Sequence, residues 1–209
     1  AAKSFLNPIK SRKNLHIITH AHTTSVIIEK GRANGVAFSR GGRHGEEQQV
    51  FASCEVILSA GVVGSPHLLE LSGIGDSTRL SELGIDVVHH LPGVGENLRD
   101  HYAPRFTGRA KNTSTINEMT RGPKLLWEIV KYALGKPSIV GLGPTLVYCF
   151  WHSEPSIRNH DLQLTFAPAS YKEGVQSEID TEPGFTCAAW QQRPESLGYI
   201  HARSADPYD

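Results

Sequence analysis

The stretch that decides the fold is EVILSAGVVGSPHLLELSGIG, residues 55–75. It opens with a short apolar run, Val56, Ile57 and Leu58, and then reaches a group of small residues. A continuous apolar run of this kind is typical of a strand that is buried on both faces, as in a parallel sheet. We therefore expect a buried strand at residues 55–59 that ends in a tight turn.

A helix is expected after this turn. Ser65 is a good N-cap residue, and Pro66 suits the first helical position, where its missing N–H lacks an intrahelical partner anyway. Gly73 is placed to end the helix. The small residues allow either close packing of two elements or the approach of a ligand to the strand end. No GxGxxG motif follows a strand in this chain, so both explanations stay open.

The sequence around this stretch predicts two regions, 1–105 and 106–209. Residues 15–60 are rich in Ile, Val and Thr and predict a β-meander, with a turn at GRANG, residues 31–35. In the second region, residues 123–135 have helical periodicity. Four strands are predicted there, separated by loops that favour an antiparallel sheet with a helix on one side: LVYCFWH, DLQLTFAP, FTCAAWQQ and GYIHARSA.

Composition excludes several classes of function. Lys plus Arg and Asp plus Glu both total 21, so the chain lacks the basic excess of a nucleic-acid-binding protein. No apolar run approaches the roughly 20 residues that a membrane span requires. The chain shows no signal peptide, which favours the cytoplasm, and both ends look cut, so we expect a piece of a longer polypeptide.

Other polar residues predict no second site. Cys54, Cys149 and Cys187 are too far apart for a CxxC zinc site and are expected to be small buried hydrophobes. His20 and His22 lack a third ligand at metal-binding spacing. The sequence GVGENLRDH, residues 93–101, predicts a loop held by side-chain to backbone hydrogen bonds more than an Asp–His dyad.

The opening stretch resembles a family signature. GVVGSPHLLELSGIG, residues 61–75, is similar to the second signature of the glucose–methanol–choline (GMC) oxidoreductases, although Val62 replaces the usual small residue. Further segments resemble the family in its order and spacing: NLHIITHA (14–21), GRANGVAF (31–38), EVILSAG (55–61), LPGVGENLRDH (91–101), DLQLTFAP (161–168) and RPESLGYIHARSADP (193–207). The resemblance spans nearly the whole chain.

The resemblance implies part of a Rossmann-like FAD-binding domain at 1–105 and part of an antiparallel substrate domain at 106–209. The family consists of FAD-dependent enzymes that mostly oxidise alcohols by hydride transfer to the flavin, helped by a histidine base. Thr23 falls where the family contacts adenine through its backbone, and the turn would lie beside the ADP half of FAD. The cofactor-binding residues implied in this way are Thr23, Ser59, Ala60, Gly61 and Ser65.

Departures from the family limit what the chain is expected to do alone. Its N-terminal GxGxxG and its C-terminal histidine do not occur in these 209 residues, so no catalytic residue is assigned and the chain alone is expected to be inactive. Its partners would be an alcohol and the remaining parts of the same enzyme. Cys149 falls where choline-oxidising members carry a Glu, which disfavours a quaternary-ammonium substrate. Leu197 replaces the usual Arg. A hydroxynitrile lyase of the same fold and a non-catalytic fragment are the alternatives.

Overall fold

The computed structural model describes residues 2–143, 145–172 and 178–209. The elements up to Leu98 are, in chain order, a π-helical turn (Ala2–Leu6), β1 (Ala21–Glu29), β2 (Arg32–Arg40), a 3-10 turn (Gly42–His44), β3 (Glu47–Phe51), α1 (Gly61–Leu71), β4 (Ile74–Gly75), α2 (Ser77–Glu82), β5 (His89–His90) and β6 (Glu96–Leu98). The remaining elements are β7 (Arg105–Arg109), α3 (Ile116–Met119), α4 (Gly122–Ala133), a 3-10 turn (Ile139–Gly141), β8 (Val147–Trp151), β9 (Leu162–Ala167), β10 (Gly184–Gln191) and β11 (Gly198–Tyr199).

The chain forms two compact units. The first unit runs to Leu98 and also includes Leu197–Asp209, whereas the second unit is Arg99–Ser196. The predicted strand GYIHARSA was assigned to the second sheet, and this was wrong, because β11 pairs with β6 of the first unit. A strand pattern shows which residues are extended but cannot name a partner about 100 residues away. The assignment of FAD binding to residues 1–105 and of substrate binding to residues 106–209 stays a prediction.

The β-meander predicted over residues 15–60 is confirmed for residues 21–51, whereas residues 15–20 form no strand. Strands β1, β2 and β3 form an antiparallel sheet in that order. The turn between β1 and β2 consists of Lys30 and Gly31, both with positive φ (51° and 76°), which matches the right-handed twist of a two-residue hairpin. The prediction placed this turn at residues 31–35. Asn34 and Gly35 instead lie within β2, where Gly35 pairs with Ile27 and with Phe51.

The helix after the small residues begins earlier than predicted. α1 begins at Gly61, its N-cap is Ala60, and Pro66 lies inside it. Ser65 is therefore not the N-cap. A helix tolerates this proline at the loss of one backbone hydrogen bond, so proline alone was a poor marker of the start. The C-terminal end agrees with the prediction, because α1 ends at Leu71 and Gly73 follows with φ of 80°.

The apolar run before α1 does not form the predicted buried strand. Residues 55–59 have no strand assignment, and no other described segment pairs with them. Ile57 is 75% exposed, while Val56 and Leu58 are only half-buried. A strand requires hydrogen bonds to a neighbour as well as an apolar sequence. Among the described strands, the only parallel pairing is the two-residue ladder of β4 with β5.

The antiparallel sheet predicted for the second unit is confirmed. Its strand order is β7-β10-β9-β8, and all neighbours are antiparallel. The first strand, β7, was not predicted. The helix predicted at 123–135 is α4, although its apolar side stays exposed, with Leu126 at 64% and Trp127 at 61%. The structure therefore does not bury this side of the helix against the sheet as expected.

A second helix of this unit was missed. The stretch KNTSTINEMTRG, residues 111–122, is polar and predicts a loop, but α3 occupies Ile116–Met119. It starts with a capping box, in which the Thr115 N–H and hydroxyl donate to the Glu118 carboxylate at 2.7 Å each. These bonds, the hydroxyl's first, hold the pKa of Glu118 below its ordinary value of 4.5. The Thr-x-x-Glu spacing was the signal that could have revealed this helix.

Candidate functional site

A cavity of about 420 Å³ lies in the first unit between the meander, the segment before α1 and α1 itself. We call it the α1 cavity. Its walls are largely apolar, with a few polar side chains, and the lining residues are Ala21, His22, Thr23, Val36, Val56, Ile57, Leu58, Ser59, Ala60, Gly64, His67, Leu68 and Leu71. Apolar walls with a small number of polar groups are typical of sites for small molecules and cofactors.

The α1 cavity brings together three of the five residues assigned to the cofactor. Thr23 at the start of β1 and Ser59 and Ala60 before α1 line the same space, although 35 residues of sequence lie between Thr23 and Ser59. Gly61 follows directly at the start of α1 but is not among the lining residues. Ser65 lies in α1 and also does not line the cavity.

Gly61 has a conformation that restricts its replacement. Its φ is +81°, a region that few residues other than glycine adopt without strain. A Cβ atom built at Gly61 would meet no heavy atom within 4 Å. The protein itself therefore leaves room for a side chain, and only the backbone conformation or a bound molecule opposes one.

One side of α1 faces the cavity. Its lining members, Gly64, His67, Leu68 and Leu71, are spaced three and four residues apart, as expected of one helix face. His67 is half-buried and makes no hydrogen bond to any described residue. This histidine was not singled out from the sequence, because nothing in the local pattern marks which way its side chain points.

The other histidine of the cavity is already engaged. Nε2 of His22 lies 2.8 Å from the carbonyl oxygen of Pro207, and the His22 ring stacks on Tyr208 with centroids 4.4 Å apart. A carbonyl oxygen only accepts, so Nε2 of His22 must donate. His20, which was expected to share a strand face with His22, precedes β1 and has φ of 55°.

A buried polar cluster holds another side of α1 and was also missed. The side chain of Glu70 is 0% exposed and accepts hydrogen bonds from His201 Nδ1 at 2.7 Å and from the Ala202 N–H at 2.5 Å. Arg79 Nε lies 3.8 Å from the same carboxylate. The second ring nitrogen of His201 faces Glu96 at 3.0 Å. The cluster ties residues 201–202 to α1 and thereby helps to hold the helix that lines the cavity.

The second unit carries a more apolar cavity of about 490 Å³ on one face of its sheet, which we call the sheet cavity. Its lining residues are Pro104, Arg105, Phe106, Val147, Cys149, Leu164, Thr165, Phe166, Cys187, Ala188 and Ala189. None of these described residues is acidic. The prediction that the cysteines are buried was wrong, because Cys54 and Cys149 are exposed and Cys187 is half-buried.

The two faces of this sheet differ. Cys149 pairs directly with Leu164, so the two side chains share the face of the sheet cavity, and Trp151 shares it too. Tyr148 and Phe150 alternate to the other face. That face carries a smaller cavity of about 340 Å³.

The remaining polar candidates are structural. The Asp100 carboxylate accepts from the His101 N–H at 2.8 Å, and Nε2 of His101 donates to the Gln192 carbonyl at 3.1 Å. Side-chain to backbone bonds therefore hold residues 100–101, whereas residues 96–98 of the predicted loop form β6 instead. Within the described residues, no three His, Cys, Asp or Glu side chains are grouped to hold a metal ion. Of the helices in the described parts of the chain, none has the length and hydrophobicity of a membrane span.

Comparison with known proteins places the chain in a family. The family model for GMC oxidoreductases matches residues 1–103. An uncharacterised GMC-type oxidoreductase of Mycobacterium tuberculosis is 36% identical over 208 residues, which is 99% of this chain and 38% of the relative. An oxygen-dependent choline dehydrogenase of Photobacterium profundum is 36% identical over 213 residues, covering 99% of this chain and 36% of the relative.

The chain belongs to the GMC oxidoreductases. Its structure matches a formate oxidase of Aspergillus oryzae whose FAD modification has been examined, with a TM-score of 0.84 and 26% identity over 96% of this chain and 40% of that chain. The resemblance read from the motifs and the mixed α/β fold class are thus confirmed, and the family indicates FAD as the cofactor. The GMC chain spans less than two-fifths of the length of these curated relatives.

Proposed function

We propose that these residues form the central part of a longer FAD-dependent enzyme that oxidises a neutral primary alcohol. The observation that carries this proposal is the α1 cavity, in which Thr23, Ser59 and Ala60 lie together in a chain of the GMC family. The length of the relatives supports the idea that further parts of the enzyme complete the site.

The α1 cavity suits the adenosine portion of FAD. Its apolar walls, which include Val36 and Leu68, can cover the faces of an aromatic ring, while Thr23 and Ser59 offer hydroxyl groups at its edges. Its volume of about 420 Å³ lies within the range of small-molecule sites. FAD, when bound, would accept the hydride from the alcohol carbon. The residues of this chain would hold the cofactor and exclude water around it.

The sheet cavity supports a neutral substrate. A trimethylammonium group buried there would meet the thiol of Cys149 in place of a carboxylate, and burying an unpaired cation is costly. Arg105, which also lines the cavity, would add like-charge repulsion. The aromatic rings of Phe106 and Phe166 favour an aromatic alcohol. The similarity to relatives named choline dehydrogenases makes this proposal worth testing directly.

The cofactor site can be tested at Gly61 in the longer polypeptide that contains this chain. Asparagine tolerates positive φ better than most residues, so Gly61→Asn should leave the fold intact, while its side chain, next to the cavity-lining Ala60, should obstruct bound FAD. We expect most of the bound flavin to be lost, measured as the ratio of flavin to protein absorbance, with little change in the melting temperature of the FAD-free protein. Asn112→Gly is the matched control at a positive-φ position of the second unit. Full flavin content in Gly61→Asn would contradict the proposed site.

The substrate class can be tested at Cys149. We expect the wild-type enzyme to have a higher kcat/KM for benzyl alcohol than for choline, and Cys149→Glu to reverse the order by supplying the missing negative charge. Cys149→Ser is the neutral control. Efficient choline turnover by the wild-type enzyme would contradict the substrate assignment. Alcohol-driven bleaching of the flavin separates an oxidase or dehydrogenase from a lyase of the same fold.

A further inference from the structure

We infer that His67 is a specificity-determining contact of the α1 cavity and that its imidazole hydrogen-bonds to the adenosine half of FAD. The inference rests on the proposed cofactor site and adds a residue to it. It also predicts that ADP, which contains that half alone, is a ligand of the same cavity, whereas FMN is not.

The direction of His67 follows from the helix. Residues 64, 67, 68 and 71 line the cavity, which is one continuous face of α1. Side chains project outward from a helix, and residues three and four apart share one face, so the side chain of His67 lies on the face that borders the cavity. His67 therefore presents its ring to this space.

The ring is the polar group of the cavity wall best suited to a ligand. Gly64, Leu68 and Leu71 on the same helix face are apolar, and His22 already donates to Pro207. His67 is half-buried and makes no hydrogen bond to a described residue. An imidazole that loses much of its water without gaining a partner is unfavourable, so a hydrogen-bonding ligand at this place stabilises it.

The chemistry of the ring suits adenosine. A neutral imidazole donates at one nitrogen and accepts at the other. The ribose hydroxyls and the adenine edge likewise offer both donors and acceptors, so His67 can pair with this part of the cofactor without a net charge. Thr23 and Ser59 also line the cavity, and the hydroxyl group of each can hydrogen-bond to another polar group of the same ligand.

The test uses the FAD-free form of the longer polypeptide and ADP as the probe. We expect His67→Leu, which keeps bulk but removes both polar atoms, to weaken ADP binding about fivefold in calorimetry, as the loss of one ordinary hydrogen bond predicts. His67→Gln keeps a donor and an acceptor and should stay within about twofold of the wild type. His16→Gln is the control, because His16 lies outside the cavity.

Two further readouts separate the role of His67 from its packing. The FAD-free His67→Leu and His67→Ala proteins should melt at the wild-type temperature, and their preference for FAD over FMN should fall by the same factor as their ADP affinity. The inference would be overturned if His67→Leu bound ADP as tightly as the wild type while the wild-type polypeptide still bound FAD. The proposed function would stand in that case. A lower melting temperature in both variants would show that His67 acts through packing, and this result would also overturn the inference. A parent protein that binds neither FAD nor ADP would refute the cofactor site itself, and the inference with it.

Discussion

Two short segments of this chain that were both predicted to be strands reached different structures. Residues 55–59 stay unpaired with Ile57 exposed, whereas β9 lies between β10 and β8 and pairs with β10 along its whole length. Both are short and apolar, but β9 has neighbours from β8 and β10 within 30 residues of sequence. The difference teaches that an apolar sequence pattern predicts an extended segment, whereas a neighbouring strand decides whether that segment becomes part of a sheet.

Each unit has a buried polar anchor in addition to its antiparallel sheet. Glu70 joins α1 to residues 201–202 in the first unit. In the second unit the fully buried Asn117 amide donates to the Ser170 carbonyl, the Ser170 hydroxyl and the Asp180 carbonyl, and accepts from the Ser170 N–H. All three tryptophans, Trp127, Trp151 and Trp190, lie in the second unit, so their fluorescence reports on that unit alone.

The largest effect is expected at Glu70. Glu70→Ala leaves His201 and the buried Ala202 N–H without their acceptor, which should lower the free energy of unfolding of the first unit by about 3 kcal/mol or more. Circular dichroism should show an earlier transition, while the tryptophan fluorescence midpoint stays in place. Glu82→Ala on the exposed side of α2 is the matched control. An unchanged dichroism midpoint would show that the cluster does not hold this unit.

The opposite pattern of probe shifts is expected for a substitution at Asn117, because this residue lies in the second unit with the tryptophans. Asn117→Ala removes the hydrogen bonds that the side-chain amide makes with Thr115, Ser170 and Asp180 and should destabilise the second unit by about 2–3 kcal/mol. Here the tryptophan fluorescence midpoint in urea should move, and Asn159→Ala at an exposed position should not move it. Equal shifts of both probes for Glu70→Ala and Asn117→Ala would contradict the view that each unit has its own anchor.

The sequence predicted the elements whose partners are close in the chain better than the rest. The meander, the β8–β10 part of the second sheet and the C-terminal end of α1 followed from periodicity and turn residues. The strand at residues 55–59 and the placement of β11 did not, because both depend on remote partners that no local pattern encodes. The start of α1 was wrong because Pro66 is tolerated inside the helix.

The candidate site divides in the same way. Thr23, Ser59 and Ala60 came from the family resemblance and lie together in the α1 cavity, although their role stays a prediction. His67 and the Glu70–His201 pair could not be read from the sequence. The direction of His67 depends on the helix face, and the partners Glu70 and His201 are 131 residues apart.

The smallest effect is expected at Ile57 in the isolated 209-residue chain. Since Ile57 is 75% exposed, Ile57→Asp should change the free energy of unfolding by less than about 0.5 kcal/mol there. In the longer polypeptide the same change should destabilise by several kcal/mol, because we expect strands outside this chain to cover the segment and bury the new charge. Denaturation of both proteins in parallel measures the difference. Equal small effects in the two would mean that residues 55–59 are never part of a sheet.

The central claim is that this chain supplies one part of a flavin site that other parts of the enzyme complete. The most direct test is the amount of FAD that remains bound to the 209-residue chain and to the longer polypeptide after purification in the same buffer. We predict a colourless 209-residue chain without alcohol-driven dye reduction, and about one FAD per longer polypeptide, bleached by its alcohol. Stoichiometric FAD with turnover in the 209-residue chain alone would contradict the account.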